Sequence, residues 1–446
     1  MFSISKLARN NWLAAAFLIL LCAALLLPGL GASSVSRQQE LRVLLAAREM
    51  AEGGSWIVPH FMGAERLRKP PLMYWLVASA FKAAGTTESA AAARAISAAA
   101  GTAFVLATFF LGRRLIGRRA AFVGAIILAT SVGFLRHARL AETDIPQALF
   151  CSLTIFSIFT ALTVRTGNLK HWIFAGIFSG IGFMFKGPAS VAMPIAAVAT
   201  FIFVARSHRA ALTLRGIIVA LVICAAIAAP WYIAVALKTA NTNAQAGDEI
   251  NRLLTESAHK GPIFYYVWTL PARLGIWALA LPVAIFGAAK KLRHHRGPLY
   301  LLCWLASSFA ILSALSSKQN HYALLLFAPS ALLTGWLLAE AARKLPIIGK
   351  DETAPRFLLR LRARLSHRAL PDRAGGRLPD FRGMVFRMPD FLAARFRLGR
   401  RVCFGACRGR AVPAFFPLRC HRADGCLRRC PGLCDGNPCV AARTDR

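Results

Sequence analysis

The sequence predicts an all-α polytopic membrane protein with about 10 transmembrane helices. Of its 446 residues, 57% are hydrophobic, and the mean hydropathy is +0.51. A soluble domain of this size could not bury so much apolar surface, so a bilayer has to solvate it. The apolar residues lie in long runs, and short basic connections separate the runs. These two observations predict the fold class.

Ten apolar runs approach the length of about 20 residues that a spanning helix needs. The first is expected to be a retained helix, because no convincing small-residue cleavage site follows it. A further apolar segment, 70–84, is short and opens with Pro70-Pro71, so we expect an interfacial or re-entrant helix there. The predicted spans are 11–30, 90–112, 120–136, 146–164, 171–186, 189–205, 216–237, 273–289, 298–316 and 322–341.

Basic residues in alternate connections predict the orientation, because cytoplasmic loops of membrane proteins are enriched in Lys and Arg. With Lys6 and Arg9 on the cytoplasmic side, every second connection is basic as well, namely 113–119, 165–170, 206–215, 290–296 and 343–350. The opposite, periplasmic side then holds the first loop, 31–89, and the segments 139–146, 238–271 and 316–321.

The first periplasmic loop is long enough to contain helices of its own. Its stretch Gln38–Glu52 forms an amphipathic pattern with Leu41, Leu44 and Leu45 on one face. Such a helix is expected to lie in the plane of the membrane interface rather than to cross it.

The net charge of +36 does not indicate a nucleic-acid partner. Residues 1–350 contain 34 Lys and Arg against 11 Asp and Glu, and the basic residues form short groups between apolar runs. That distribution is typical of cytoplasmic loops next to membrane lipids, and it lacks a continuous basic binding face.

Acidic residues are rare in this part of the chain, and residues 1–350 contain only Asp144 and Asp248 as aspartates. Asp144 lies at the predicted outer mouth of two spans. An ionisable group at membrane depth is costly and usually serves a functional site. The alternative is that Asp144 caps the next helix, since Asp before Ile-Pro is a favourable N-cap.

Three lysines, Lys69, Lys186 and Lys318, are predicted on the same face as Asp144. Lysines at the outer bilayer surface can hold a lipid phosphate through charge-assisted hydrogen bonds. For a single lysine, snorkelling at a helix end is the simpler interpretation. Their common face, near carboxylates, makes the phosphate interpretation competitive.

The segments Ala47–Met50, Gly54–Gly63 and Lys69–Leu72, followed by Tyr74-Trp75, resemble the first periplasmic loop of the bacterial aminoarabinose transferases. Those enzymes and the protein O-mannosyltransferases are GT-C membrane glycosyltransferases. The resemblance covers roughly the first three quarters of the chain, and it continues through 139–146, 186–188, 230–232 and 318–329.

This resemblance implies transfer of a sugar from a polyprenyl (undecaprenyl) phosphate to lipid A or another glycan or protein acceptor, at the periplasmic face of the bacterial inner membrane. It implies catalytic roles for Asp144 and Glu40, and phosphate binding by Arg42, Lys69, Lys186 and Lys318. Further site candidates are His60, Tyr74, His321 and Tyr322. A divalent metal ion is compatible with the family, but no ligand is assigned to it.

One departure from the family affects the predicted chemistry. The family's first loop carries an Asp-Glu pair, and alignment on Arg48-Glu49-Met50 places Gln39-Glu40 there. Glutamine cannot accept a proton as a carboxylate does, so Glu40 is expected to substitute. Two alternatives stay open: a catalytically impaired relative, and a transporter or flippase of lipid-linked substrates, whose polar groups would gather near the membrane midplane.

The residues beyond 350 differ in character from the predicted GT-C core, 1–350. Residues 351–446 contain 21 Arg, no Lys and seven Cys, without an apolar run that could span. This composition is typical of a GC-rich gene read out of frame, and we interpret the segment as an irregular or disordered tail produced by a frameshift. A zinc module, from the spacing of Cys403/Cys407 and Cys426/Cys430/Cys434, and a basic RNA-binding tail are the alternatives.

Overall fold

The computed structural model describes residues 10–164, 168–205, 213–239, 261–290 and 296–344. All of them lie in Met1–Lys350, one of the two units into which the chain divides. The predicted tail lies outside the described residues, as do most of the predicted loop 238–271 and parts of four basic connections.

The described part of the chain is mostly α-helical, with one short β-hairpin in the first loop. Two 3-10 segments, Gly275–Leu279 and Asn320–Leu326, join helices near the end of the described part. In chain order the elements are α1 (Asn11–Leu26), α2 (Gln38–Ala51), β1 (His60–Phe61), β2 (Ala64–Glu65), α3 (Leu72–Ala84), α4 (Ala90–Ile116), α5 (Arg118–Thr130), α6 (Val132–Ala138), α7 (Asp144–Thr163), α8 (Leu169–Lys186), α9 (Ala189–Ala205), α10 (Leu214–Lys238), α11 (Tyr265–Leu274), α12 (Leu281–Lys290), α13 (Arg296–Ala314) and α14 (Phe327–Lys344).

Each predicted span coincides with a helix or with a pair of consecutive helices. Among the described residues, five helices are long and apolar enough to cross a membrane, or up to seven if each of two bent helix pairs is one span. α1, α3 and α9 are apolar but shorter. The structure therefore confirms a polytopic helical protein, while the count of about 10 spans stays a prediction.

Glycines bring several helices into close contact, as is usual in membrane bundles, where small residues let backbones approach. A Cβ placed on Gly335 of α14 would lie 2.5 Å from the Ala120 carbonyl oxygen of α5. A Cβ on Gly176 of α8 would lie 2.6 Å from the Ala220 carbonyl oxygen of α10. These contacts hold α14 on α5 and α8 on α10.

The first loop folds as a small unit of its own. α2 packs on α3 through Val43, Ala47 and Met50, whereas Leu41 is exposed. The hairpin pairs His60 with Glu65, and its two turn residues, Met62 and Gly63, both have positive φ. This is the turn geometry that suits the twist of a two-residue hairpin.

The chain passes back and forth so that several polar segments gather at the same end of the helices. The start of α2, the start of α7, the end of α8 and the segment between α13 and α14 contribute side chains that contact one another. This gathering builds the site described next.

Candidate functional site

A buried ion pair forms the centre of the site. Lys186, the last residue of α8, donates a hydrogen bond to Oδ1 of Asp144, the first residue of α7. Nε2 of His321 lies 3.7 Å from the same oxygen. The Lys186 ammonium also lies 4.7 Å from the centre of the Tyr322 ring, within cation–π distance. The structure thus brings together four of the predicted site residues.

The two carboxylate oxygens of Asp144 have different surroundings. Oδ1 faces Lys186 and His321, whereas Oδ2 is buried and has no hydrogen-bond partner among the described residues. Thr143 is the N-cap residue of α7, and it makes no side-chain cap bond. The capping alternative for Asp144 is therefore wrong, because its carboxylate pairs with a lysine instead of with the helix backbone.

Lys69 joins the site from the loop before α3. Its ammonium donates a 3.0 Å hydrogen bond to the side-chain oxygen of Gln39, and the Gln39 amide in turn lies 3.4 Å from the Gln319 side-chain oxygen. Desolvation, followed by repulsion from Lys186, lowers the pKa of Lys69 from near 10.5 to about 8, and Asp144 opposes that shift. The hydrogen bond of Lys69 to Gln39 is thus to a neutral acceptor, and the ammonium loses its proton at a lower pH than an ordinary lysine.

A second acidic group lies directly beside the first. Oε2 of Glu142 is 2.9 Å from Nδ1 of His137, and Nη1 of Arg37 is 3.3 Å from the other Glu142 oxygen. The His137 and His321 rings meet edge to face, with 6.2 Å between their centres. The two histidines thereby connect Glu142 to Asp144.

Glu40, predicted as a catalytic acid, faces away from this centre. Its two oxygens pair with Arg94 of α4 at 2.7 and 3.2 Å, and both side chains are fully buried. Gln39, and not Glu40, reaches Lys69. Arg42 donates to Gln38 on the same helix at 3.2 Å. Catalysis by Glu40 and phosphate binding by Arg42 stay predictions.

Lys318 is also engaged elsewhere. It is buried, and its ammonium donates to the carbonyl oxygens of Leu312, Ser313 and Leu315 at 2.5–3.0 Å. These carbonyls belong to the last turn of α13, where a helix presents acceptors without partners. Lys318 therefore caps α13, and its phosphate binding stays a prediction.

The remaining predicted residues, His60 and Tyr74, belong to the first-loop unit. His60 lies half-buried in β1, and the buried Tyr74 accepts a 3.4 Å hydrogen bond from Arg66. No contact among the described residues connects either of them directly to Asp144 or Lys186.

Sequence reasoning missed five residues of this region: Arg37, Arg94, His137, Glu142 and Gln319. Arg94 could have been recognised from the sequence, because an arginine inside a predicted span needs a buried partner. The sequence gives a weaker indication for His137 and Glu142, since these two ionisable groups flank one short turn between apolar runs. Arg37 and Gln319 are ordinary loop residues, and nothing in the sequence marks them.

No group of three or more His, Cys, Asp or Glu side chains that could hold a metal ion lies within the described ranges. The divalent metal ion considered from the sequence therefore has no assigned ligands.

Comparison with known proteins places this geometry in context. The dolichyl-phosphate-mannose-protein mannosyltransferase family matches residues 68–233. An undecaprenyl phosphate-alpha-4-amino-4-deoxy-L-arabinose arabinosyl transferase of Pseudomonas savastanoi pv. phaseolicola is 32% identical over 342 residues, which cover 75% of this chain and 62% of that protein. The transferase of the same name from Erwinia tasmaniensis is 29% identical, covering 66% and 54%.

Solved structures agree with these relatives. ArnT from Cupriavidus metallidurans, in a crystal structure bound to undecaprenyl phosphate, superposes with a TM-score of 0.66 at 19% identity, over 73% of this chain and 60% of that one. This chain resembles the GT-C membrane glycosyltransferases. The Archaeoglobus fulgidus oligosaccharyltransferase shares the fold more distantly, with a TM-score of 0.56 at 16% identity, over 80% and 53% of the two chains.

The GT-C resemblance covers only part of the relatives. The chain spans about three fifths of the length of the first curated relatives it matches. Its apolar helices and its bacterial relatives together indicate a multi-pass protein of the bacterial inner membrane.

Proposed function

We propose that this chain is a glycosyltransferase that takes a sugar from a polyprenyl (undecaprenyl) phosphate and transfers it to lipid A or another envelope acceptor. The observation that carries the proposal is the cluster of Lys69, Lys186, His321 and Asp144, in a chain that resembles transferases named for an undecaprenyl-phosphate sugar. Two cations beside a carboxylate suit a reaction whose leaving group is a phosphate.

The proposed reaction is a single displacement at the anomeric carbon. An acceptor oxygen forms a bond to that carbon, while the carbon–oxygen bond to the lipid phosphate breaks and its electron pair leaves with the phosphate. Lys69 and Lys186 would stabilise the charge on that phosphate, and catalysis would consist largely of positioning and electrostatics.

Asp144 has two possible uses, which depend on the acceptor. A hydroxyl acceptor must lose its proton, and the buried, unpaired Oδ2 of Asp144 is an oxygen that can receive it. A phosphate acceptor, as on lipid A, is already ionised and needs no base. In that case Asp144 would mainly keep Lys186 charged and in place.

The proposed topology has about 10 spans, with the N-terminus cytoplasmic and the site periplasmic. α2 and α3 would lie in the outer interface as part of the loop 31–89. Their lengths, 14 and 13 residues, support this because both are too short to cross. Residues 1–350 would form the GT-C core.

The tail 351–446 is proposed to be a frameshifted segment. Resequencing the gene across codons 340–360 and translating all three downstream frames tests this directly. A neighbouring frame that continues with apolar spans would support a frameshift. The absence of such a frame would make the Arg- and Cys-rich segment genuine.

Transfer of radiolabel from an undecaprenyl-phosphate sugar to lipid A by the purified chain tests the proposed function. Label in the acceptor supports the proposal, and no transfer from any polyprenyl-phosphate sugar contradicts it. Gln39 gives a specific reason to consider an impaired relative, since a neutral amide occupies the position next to Lys69. Restored transfer in Gln39→Asp, against none in the parent chain, would identify an impaired relative.

A further inference from the structure

The buried pair Glu40–Arg94 lies outside the proposed reaction centre, and its contacts are unusually extensive. Arg94 donates through Nε and Nη2 to the two Glu40 oxygens. Through Nη1 it donates to the carbonyl oxygens of Leu30 and Ser33 at 2.9 Å and to the Ser33 hydroxyl at 3.0 Å. One guanidinium therefore fastens the segment after α1 and the start of α2 to α4.

Glu40 also contacts the short segment between α6 and α7, which precedes Asp144. Its Oε1 accepts a 3.0 Å hydrogen bond from the backbone N–H of Ala141. One helical turn beyond Arg94, the Ser97 hydroxyl donates to the Glu142 carbonyl oxygen at 3.3 Å. α4 thus holds the segment that leads directly into Asp144.

These contacts act on both halves of the site. Gln39, which contacts Lys69, is the direct neighbour of Glu40 in α2. Asp144, which pairs with Lys186, follows Ala141 by three residues. The ion pair therefore holds the backbone beside Gln39, which contacts Lys69, and the backbone that leads into Asp144, which pairs with Lys186.

We infer that Glu40 and Arg94 are positioning residues: they align Gln39–Lys69 with Asp144–Lys186, and Glu40 does not itself transfer a proton. The expected effect on kcat rests on the proposed function, whereas the expected effect on the backbone rests on geometry alone. Both carboxylate oxygens of Glu40 are committed to hydrogen bonds inside the protein, so neither is available to an acceptor.

The test compares Glu40→Gln, Arg94→Gln and the double variant. Each single variant leaves one charge buried without its partner, which disturbs the surroundings more than removal of both charges. We expect each single variant to lower kcat at least about tenfold, with the donor KM changed less than about threefold, since misplacement acts on the reacting geometry. In the double variant, kcat should recover to at least about fivefold above the poorer single variant.

Hydrogen exchange measured by mass spectrometry gives a readout independent of activity. Both single variants should speed backbone exchange in peptides covering 30–41 and 139–143, but not in those covering α13. Glu52→Gln breaks an exposed ion pair with Arg48 at the end of α2, and it is the matched control, expected to change neither exchange nor kcat.

Two results would overturn the inference. If Glu40→Gln and the double variant are equally inactive while exchange stays unchanged, Glu40 acts chemically. If the single variants alter neither kcat nor exchange, the pair positions nothing. If a single variant does not fold, Glu40→Asp and Arg94→Lys keep the charges and displace them, and the same two criteria apply. If the parent chain transfers no sugar, the proposed function fails, and the exchange measurement still decides the inference.

Discussion

Asp144 is a buried carboxylate whose charge is balanced by Lys186, and Nε2 of His321 lies 3.7 Å from the same oxygen. Replacing it by Asn keeps the shape and removes the charge, so Lys186 is left buried without a counterion. We expect Asp144→Asn to lower kcat at least about 100-fold, because it removes either a base or the group that orients a phosphate-binding lysine. Radiolabel transfer by the purified variant measures this. Glu88→Gln, at an exposed carboxylate, is the control expected to retain full activity.

Lys69 gives the site a pH dependence. Its pKa is lowered to about 8, so the cation predominates below that pH and is lost above it. The second ionisation of undecaprenyl phosphate itself lies at about pH 6, so its affinity should change little between about pH 7 and 8 and fall by up to about tenfold per unit above pH 8. Titration calorimetry across this range, in detergent, checks the prediction. An affinity that persists to pH 10 would exclude Lys69 from phosphate binding.

Gln39 lies against the Lys69 ammonium, since its neutral side-chain oxygen accepts the hydrogen bond from Lys69. Gln39→Glu places a negative charge there, which favours the ammonium and raises the pKa of Lys69. The fall in affinity should then begin at higher pH. Gln38→Glu adds the same charge on the preceding residue, which contacts Arg42 instead, and should shift the profile less.

Several site residues could be predicted from the sequence because charges beside apolar runs are conspicuous. Asp144, Lys186 and Lys69 were found in this way. The direction of side chains could not be predicted, since Gln39 and Glu40 are neighbours on one helix and only the packing of α2 decides which of them faces Lys69. The commitment of Lys318 to helix carbonyls could not be predicted either, because it depends on how the chain turns after α13.

At the scale of helices, α14 and α5 pack through glycine with almost no space between them. A Cβ on Gly335 would lie 2.5 Å from the backbone nitrogen of Gly124. We expect Gly335→Ala to lower the free energy of unfolding by about 1–3 kcal/mol through overpacking. Thermal unfolding in detergent measures this. Gly287→Ala is the matched control, because its added methyl would meet only Trp336, at 3.8 Å.

Lys318 also acts at the scale of helices, because its ammonium donates hydrogen bonds to carbonyl oxygens at the end of α13. Lys318→Met should lower the free energy of unfolding by about 1–3 kcal/mol, the cost of leaving buried acceptors without a donor. Lys82→Met, at an exposed lysine, should change it by about 0.5 kcal/mol or less. A Lys318→Met variant of normal stability with greatly weakened undecaprenyl-phosphate binding would instead support the phosphate role expected from the sequence.

The helices themselves were largely predictable, because an apolar run of spanning length has few alternatives in a bilayer. Each predicted run is helical. The main difference from the prediction is that two of the apolar segments are bent. α5 and α6 meet at 63°, and the segment Tyr265–Leu279 meets α12 at 79°. Pro282 lies in the first turn of α12, directly after the second bend, whereas the first bend occurs without proline, at Ser131.

At the scale of the whole molecule, the distribution of charge and the position of the site together predict how the protein is oriented in the membrane. In the proposed topology, the basic connections and the Lys69–Asp144 cluster lie on opposite sides of the membrane. With about 10 spans and a cytoplasmic N-terminus, this topology would place the tail with its seven cysteines on the cytoplasmic side as well. The cysteines among the described residues are buried. A membrane-impermeant maleimide should therefore leave the parent chain unlabelled in cells whose inner membrane is intact.

Two exposed positions then test the two sides. Glu88→Cys, in the first loop, should react with the maleimide in these cells, because the proposed topology places this loop in the periplasm. Arg119→Cys, at the exposed start of α5, should react only after the membrane is permeabilised. Labelling of the parent chain itself would place the tail outside and require an odd number of spans. Labelling of Arg119→Cys instead of Glu88→Cys would indicate the opposite orientation in the membrane. The site would then lie on the cytoplasmic face, where it could not reach a periplasmic acceptor.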